Sequence, residues 1–243
     1  MKNYKNKLFE SYLDSHIRSR EGLPESSDYL LNTKYFGKII DRININKDSK
    51  ILDIGCGVGF FLYAFKRNDF TNLRGVEFSK ELVEIANGFD LNCVVQGDIF
   101  EELSKKEKFD LIILKDVIEH FEREEIFTIL ELANEKLNDT GKILVQVPNA
   151  NNLFSGRILY NDFTHELSFT KDSLRQILFA NGFINLNFYK NEPYLYDILS
   201  LKRILKYIIK STYHKIVQIL LYVEDMSRPV IVSESIIVIA EKK

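Results

Sequence analysis

Short apolar runs alternate with helical segments between residues 50 and 148, and this alternation constrains the fold more than any other feature of the sequence. The strand candidates are Ile51–Ile54, Leu73–Val76, Cys93–Val95, Asp110–Leu114 and Lys142–Val147. The helical segments between them lie near 59–68, 80–88 and 123–137. Strands that alternate with helices of this length predict βαβ units and a parallel sheet.

The segment before residue 50 is predicted to form two helices, over residues 4–19 and 27–43. Ser26 or Ser27 is the expected N-cap of the second helix, because a side-chain hydroxyl can accept from a free backbone N–H there. These helices are interpreted as a cover over the central part of the chain.

The segment after Pro148 is less regular. A helix is predicted over 170–181, and two further strands are predicted at Ile184–Tyr189 and Ser235–Ala240. Between these strands, 196–223 is amphipathic and helical, and is interpreted as an insertion before the last strand. The whole chain is therefore predicted to be one domain over 1–243, with a cover (1–46), a ligand-binding core (47–150) and an acceptor-side half (151–243).

The composition is that of an ordinary globular protein. The 243 residues are 45% hydrophobic and 28% charged, and the net charge is −2. A nucleic-acid partner is not expected, because such proteins usually carry a basic excess. The two cysteines, Cys56 and Cys93, indicate neither a disulfide framework nor a zinc site. A polar start and the lack of a long apolar run predict a cytoplasmic protein.

Three glycines at alternate positions, Gly55, Gly57 and Gly59, follow the first predicted strand. They allow a tight turn and a close approach of the backbone to a ligand. A dinucleotide fold places its third glycine or alanine one residue later, where this chain has the bulky Phe60. The acidic Asp53 would repel a pyrophosphate. This pattern disfavours an oxidoreductase and favours a ligand that carries an ammonium and a sulfonium group.

Two more acids lie at predicted strand ends. Glu77 ends the second strand, where a carboxylate can accept both ribose hydroxyls, and Phe78 is expected to lie against adenine. Asp98 follows the third strand and is expected to accept from the adenine amino group, with Ile99 packed on the ring. Open α/β sheets bind ligands at the carboxyl ends of their strands.

Residues 50–148 resemble the class I S-adenosylmethionine (SAM) dependent methyltransferases. The resemblance rests on Ile51 to Gly59, on Glu77 and Asp98, and on Phe109 to His120. It implies a Rossmann-like seven-stranded sheet whose last strand is antiparallel, SAM as cofactor and S-adenosylhomocysteine (SAH) as product. It also implies that Cys56 and Lys115 belong to the cofactor site.

A narrower resemblance links the chain to bacterial methyltransferases of surface-polysaccharide biosynthesis. It rests on Tyr160 to Glu166, Ser168 to Thr170, Val147 to Ala150, and Tyr12 to His16. It implies O-methylation of a sugar hydroxyl on a sugar nucleotide or a growing glycan. The residues expected to bind the acceptor are Tyr12, His16, Tyr160 and Glu166.

A hydroxyl acceptor needs a group that draws its proton away, and histidine is the usual choice. We favour His165 as this base, with Asp162 or Glu166 orienting its ring; the alternative is that His165 only fixes its loop. His120 is a second candidate, or else holds the backbone before the next helix. For Asp116, binding a substrate hydroxyl and capping a helix remain equally open. No metal is predicted.

The basic amphipathic stretch 196–223 leaves several interpretations open. A helical flap or a dimer contact is preferred over contact with an anionic membrane surface. A further alternative is that its basic face attracts the diphosphate of a sugar nucleotide. The protein is expected to be a monomer or a homodimer. The competing functions are a methyltransferase for quinones or secondary metabolites, and a SAM-binding partner protein without turnover.

Overall fold

Seven strands form one sheet within residues 3–18, 22–191, 201–225 and 230–243, which are the parts of the chain that the computed structural model describes. The strands are β1 (Ile51–Ile54), β2 (Leu73–Glu77), β3 (Val94–Gln96), β4 (Phe109–Lys115), β5 (Leu137–Pro148), β6 (Phe183–Lys190) and β7 (Ser235–Lys242). Their order across the sheet is β3-β2-β1-β4-β5-β7-β6.

The first five strands pair in parallel, and β7 pairs antiparallel to both β5 and β6. The expected mostly parallel seven-stranded sheet with an antiparallel last strand is thus confirmed. The strand order reverses between β1 and β4, because β2 and β3 lie on one side of β1 while the later strands lie on the other. Such a reversal opens a crevice at the carboxyl ends of the strands.

Helices cover both faces of the sheet. Their bounds are α1 (Asn3–Glu10), α2 (Ser26–Ile43), α3 (Phe60–Arg67), α4 (Lys80–Gly88), α5 (Ile99–Leu103), α6 (Arg123–Lys136), α7 (Ser155–Tyr160), α8 (Lys171–Ala180) and α9 (Leu201–Asp225). A π-helical segment (Leu13–Arg18) and a 3₁₀ turn (Ile118–His120) complete the set. The short α5 and α7 were not predicted, because five or six residues are too few to show a helical period.

Two details of the helix predictions need correction. The N-cap of α2 is Glu25, which forms a reciprocal capping box with Asp28, so neither Ser26 nor Ser27 is the cap. The predicted helix over 4–19 is divided into α1 and the π-helical segment.

Of the predicted insertion 196–223, residues 196–200 lie outside the described residues, and the remainder is helical within α9.

The core lies on both faces of the central strand β4. Ile112 and Leu114 pack on one face with residues of α6 and α8, while Leu111 and Ile113 pack on the other with residues of α2 and α3. All four side chains are fully buried. A strand buried on both faces is apolar throughout rather than alternating, which explains the continuous run that the sequence shows here. Among the described helices, none has the length and apolarity to cross a bilayer.

We expect Ile112→Ala to destabilise the protein by about 2–5 kcal/mol, because the truncation leaves a cavity at the centre of the sheet. Ile112 lies between Leu52 of β1 and Ile143 of β5. Thermal unfolding should show a drop of about 5–15 °C in the melting temperature. Phe127→Ala on α6, where the side chain is 45% exposed, is the control and should cost less than about 1 kcal/mol. Equal losses in both variants would contradict this description of the core.

Candidate cofactor and acceptor site

A cavity of about 920 Å³ opens at the carboxyl ends of β1, β2 and β4. Its volume is near the upper end of the range for ligand pockets, which leaves room for a cofactor and an acceptor together. The cofactor residues predicted from the sequence line it, with the exception of Gly59. The rest of the lining, here called the acceptor end, comes from parts of α1, α2, β5 and α9.

The glycine turn after β1 has the backbone conformation that glycine supplies. Gly55, Gly57 and Gly59 have φ values of 66°, 56° and 80°. A Cβ on Gly55 would lie 2.7 Å from a methyl group of Val117, and one on Gly59 would lie 2.5 Å from Leu91. A Cβ on Gly57 would have no atom within 4 Å among the described residues. Gly57 therefore faces open space in the cavity, and Gly59 is needed for packing at the start of α3.

Glu77 holds this turn from the end of β2. Its Oε2 accepts from the Gly57 N–H at 2.9 Å, and its Oε1 accepts from the Ser79 N–H at 2.9 Å. Burial raises the pKa of Glu77, while the backbone N–H donors at Ser79 and Gly57 act in the opposite direction. Each carboxylate oxygen keeps a further lone pair, which is what acceptance of two ribose hydroxyls requires.

Asp53 is a buried acid at the tip of β1, only 2% exposed. No donor among the described residues makes a hydrogen bond to its carboxylate, although the group lines the cavity. Burial raises its pKa to about 8; the Lys115 charge opposes this rise, and Glu77 adds to it. A buried carboxylate without a partner is costly, so Asp53 is suited to a ligand that brings a positive charge.

The remaining cofactor candidates also belong to the lining of the cavity. Phe78, Asp98 and Ile99 all line it. Asp98 is the N-cap of α5, because its Oδ1 accepts from the backbone N–H of Phe100 at 2.8 Å. Cys56 also lines the cavity, and burial raises the pKa of its thiol well above the usual range, which keeps the sulfur neutral.

Lys115 and Asp116 form an ion pair at the end of β4 and both line the cavity. Asp116 has a φ of 55° and also accepts from the Gln146 amide at 3.0 Å. The 3₁₀ turn that follows has Val117 as its N-cap and no side-chain cap bond. The alternative that Asp116 caps a helix is therefore wrong, and its carboxylate faces the cavity.

Among the histidines whose side chains the structure describes, His120 lines the cavity. Its Nδ1 lies 2.8 Å from Thr164 Oγ1, and that hydroxyl donates to Asp162 Oδ1 at 2.5 Å. The hydroxyl can then only accept from His120, which assigns the ring proton to Nδ1 and leaves the Nε2 lone pair free. Burial and the neighbouring His165 lower the pKa of His120 to about 4, so the ring is neutral. Tyr12 donates to the other oxygen of Asp162 at 2.9 Å.

His165 lies behind His120 and outside the lining of the cavity, with the two ring centroids 4.7 Å apart. Its Nδ1 is 3.2 Å from the Ile158 carbonyl, so the ring has a different partner from the predicted carboxylates Asp162 and Glu166. Glu166 instead pairs with Lys5 at 2.8 Å.

Of the described acceptor candidates, Tyr160 and Glu166 lie outside the lining of the cavity. Tyr160 is 85% exposed. His16 belongs to the π-helical segment, and its side chain lies outside what the structure describes. Conversely, polar residues that were not predicted as site residues line the acceptor end: Asn32, Tyr35, Gln146, Asn191, Lys206, Tyr207 and Lys210. Only the lysines, four residues apart on the basic face of α9, carried a signal in the sequence.

A family model described as a methyltransferase domain matches residues 29–187. The chain belongs to this methyltransferase family. The predicted SAM-dependent methyltransferase fold and enzyme class are confirmed, because both the family match and the similar solved structures agree with them. Membership in the surface-polysaccharide subgroup stays a prediction.

Curated relatives are similar over part of their length. A phosphoethanolamine N-methyltransferase of Plasmodium falciparum is 28% identical over 112 residues, covering 44% of this chain and 42% of the relative. EEF1A lysine methyltransferase 2 of Danio rerio is 33% identical over 79 residues, covering 30% of this chain and 34% of the relative. The chain thus matches less than half the length of each.

Solved structures are similar over nearly the whole chain. A SAM-dependent methyltransferase from Archaeoglobus fulgidus has a TM-score of 0.67 at 22% identity, covering 94% of this chain and all of the other. The magnesium protoporphyrin IX methyltransferase of Synechocystis with bound SAH has a TM-score of 0.61 at 14% identity, covering 99% of both chains. At these identities the likeness concerns the fold.

SAM is the cofactor of this methyltransferase. The site fits it, because the unpartnered Asp53 suits the positive amino acid end, the Glu77 oxygens suit the ribose, and Phe78 with Ile99 suits the adenine. Bound SAM supplies an electrophilic methyl group on a sulfonium. The part left to the protein is to orient the acceptor and to exclude water.

We expect SAM binding at pH 7 to release close to one proton, from Asp53. With its pKa at about 8, the carboxyl is mostly protonated at pH 7, and pairing with a cationic ligand lowers that pKa. Affinity should therefore rise as the pH increases from about 6 to about 8. Titration calorimetry in buffers of different ionisation enthalpy measures the release. Asp53→Asn should bind more weakly and without the buffer effect; a wild-type enthalpy independent of buffer would refute the assignment.

Proposed function

We propose that the enzyme O-methylates a sugar hydroxyl on a phosphate-bearing carrier, either a nucleotide sugar or a glycan precursor of a bacterial surface polysaccharide. The observation that carries this proposal is the pair Lys206 and Lys210, which line the acceptor end of the cavity from α9. Two ammonium groups in the lining suit a phosphate or diphosphate. The polar side chains that also line the cavity suit a sugar.

We assign the binding position of the acceptor hydroxyl to the end of β4. Asp116 faces the cavity there and has His120 close by along the chain. The acceptor oxygen would bond to the methyl carbon as the carbon–sulfur bond breaks, and the hydroxyl proton would pass to the Asp116 carboxylate. We assign the hydrogen bond from that hydroxyl to Asp116, with Asp162 and Thr164 positioning His120 beside it. His165 does not line the cavity and is not given the role of base.

A phosphorylated amine is the second candidate acceptor. The P. falciparum relative is a phosphoethanolamine N-methyltransferase, and such an acceptor also carries a phosphate. Glu234, which lines the cavity with Asp116, offers a carboxylate for an ammonium group. A quinone-type acceptor is less suited to the lysine-lined end, although aromatic side chains of α1 and α2 also line the cavity.

A labelled-methyl transfer screen tests the proposal. The acceptor panel contains nucleotide sugars, sugar phosphates, phosphoethanolamine and a hydrophobic phenol, each with SAM at saturation. We expect label on a nucleotide sugar or sugar phosphate. Transfer to phosphoethanolamine alone would favour the amine candidate, and transfer to the phenol alone the small-molecule alternative. SAM binding without transfer to any acceptor would favour a partner protein without turnover.

We expect the double variant Lys206→Ala/Lys210→Ala to raise the KM for a phosphorylated acceptor by about tenfold or more, because charge-assisted hydrogen bonds are lost. SAM affinity should stay unchanged, because neither lysine is among the residues assigned to the cofactor. Lys215→Ala is the matched control, because Lys215 is on the same helix but outside the cavity lining. An unchanged KM in the double variant would remove the phosphate from the proposed acceptor.

The outer face of α9 favours a lipid-linked carrier and a peripheral location at the cytoplasmic side of a membrane. Apolar side chains that are 53–72% exposed follow this face: Leu205, Ile208, Ile209, Ile216, Ile219, Leu220 and Val223. At 100° per residue they share about a third of the helix circumference. Residues 201–223 contain five lysines and arginines and no acid. A basic amphipathic helix of this kind suits an anionic bilayer better than a second copy of itself.

We expect the protein to float with vesicles that contain anionic phospholipid and not with neutral vesicles. Ile209→Glu/Ile216→Glu should lower vesicle binding by about tenfold or more, because two apolar side chains are replaced by acids. The control is Leu153→Glu, at an exposed leucine outside α9. Absence of flotation, together with a dimer in light scattering that Ile209→Glu/Ile216→Glu dissociates, would assign this face to a second copy.

A further inference from the structure

The carboxylate of Glu119 is an unexplained buried group beside the acceptor end of the cavity. The residue is fully buried, and neither carboxylate oxygen has a hydrogen-bond partner among the described residues. Buried polar groups in native proteins are almost always satisfied, and an orphaned one calls for a missing partner. Removing a carboxylate from water without such a partner is costly.

Two histidines lie next to this carboxylate. One carboxylate oxygen of Glu119 and one ring nitrogen each of His120 and His165 all lie within 4.8 Å of one another. The residues come from two places in the chain, the 3₁₀ turn after β4 and the loop after α7. That loop is held to the turn by the backbone N–H of Glu166, which donates to the Glu119 carbonyl at 2.7 Å.

The second nitrogen of each histidine is already used. Nδ1 of His120 contacts Thr164 Oγ1 at 2.8 Å, and Nδ1 of His165 contacts the Ile158 carbonyl at 3.2 Å. A carbonyl can only accept, so His165, like His120, carries its proton on Nδ1. Both Nε2 atoms therefore keep a free lone pair. Histidines that bind metal ions commonly have this arrangement, in which the other ring N–H is fixed by an oxygen.

The surrounding charges also favour a cation. The negative charges of Asp116 and Asp162 both act on Glu119, and the opposing charge is that of Lys115. Lys115 is engaged by Asp116. Lys5, the other cation of this region, pairs with Glu166 and donates to the His120 carbonyl. The Glu119 carboxylate thus has two imidazoles within reach as ligand-type groups.

We propose that Glu119, His120 and His165 form a binding site for one divalent transition-metal ion. Two imidazoles and one carboxylate suit Zn²⁺ or Mn²⁺ better than Mg²⁺ or Ca²⁺, which prefer oxygen ligands alone. Ligand atoms around a tetrahedral Zn²⁺ lie about 3.4 Å apart, so side-chain rotations that draw the three groups together complete the site. The ion would reach it from the cavity, past His120.

Metal content and thermal stability test this proposal without any acceptor. Protein stripped with a chelator is dialysed against Zn²⁺ or Mn²⁺, and bound metal is measured by mass spectrometry. We expect about one ion per chain and a rise in melting temperature of about 5–10 °C at a hundredfold excess over Kd. Because no methyl transfer is measured, failure here leaves the sugar proposal intact, and failure of the acceptor screen leaves the metal site intact.

Variants separate this site from adventitious binding. Glu119→Gln keeps the shape of the side chain and should lose both the bound ion and the thermal shift, as should His165→Ala. His214→Ala, at a histidine on α9 outside the cluster, should retain both. SAM binding is measured for each variant as a check that it is folded. If Glu119→Gln does not bind SAM, the metal content and thermal shift of His165→Ala test the proposal instead. Metal binding that is absent from the wild type, or that persists in the cluster variants, would overturn the proposal.

Discussion

The hydrogen bond from the Gly57 N–H to Glu77 is the contact on which the cofactor cleft depends. The turn after β1 passes through left-handed backbone conformations that only glycine adopts without strain. Its backbone N–H groups therefore need hydrogen-bond acceptors outside regular strand pairing. Gly55 finds one in the Val76 carbonyl at 2.8 Å, and Gly57 finds one in Glu77. The tip of β2 thereby fixes the turn, the start of α3 and the position of Asp53 together. The Glu77 carboxylate still has lone pairs for a ligand. The residue that fixes the shape of the cleft is therefore also available to bind the cofactor.

The acceptor end is assembled differently, by contacts between the N-terminal cover and the loop after α7. Tyr12 of the cover binds Asp162 of the loop, and Lys5 contacts both Glu166 and the His120 carbonyl. Lys5 is only 2% exposed, so these bonds form largely away from water, where charge-assisted bonds are strong. Tyr12 also lines the cavity. The cover is thus bonded to the loop that holds His120 in place.

The cofactor half was predictable from the sequence because local chemistry determines it. The glycine turn, Asp53 and Glu77 each follow a buried strand, and parallel strands bring their carboxyl ends to one edge. The acceptor half was not predictable, because its geometry depends on contacts between residues 150 or more positions apart, such as Tyr12 with Asp162. The sequence showed a histidine in the loop, yet not that His120 would lie between His165 and the cavity. The short helix α7 and the capping box of Glu25 were not predicted either, because they depend on local contacts that produce no periodic pattern in the sequence.

The distribution of charge along the cavity connects the separate proposals. Asp53 and Glu77 line it with carboxylates that suit the positive cofactor, and Lys206 and Lys210 line it with ammonium groups that suit the phosphate of the proposed acceptor. A phosphorylated acceptor is therefore expected to bind with its phosphate toward the lysines, since the opposite orientation would bring the phosphate against the carboxylates. The proposed hydroxyl contact, Asp116, and the neighbouring His120 line the same cavity. If the outer face of α9 rests on a bilayer, the two lysines on the same helix lie close to the membrane, which is where the phosphate of a lipid-linked glycan would arrive.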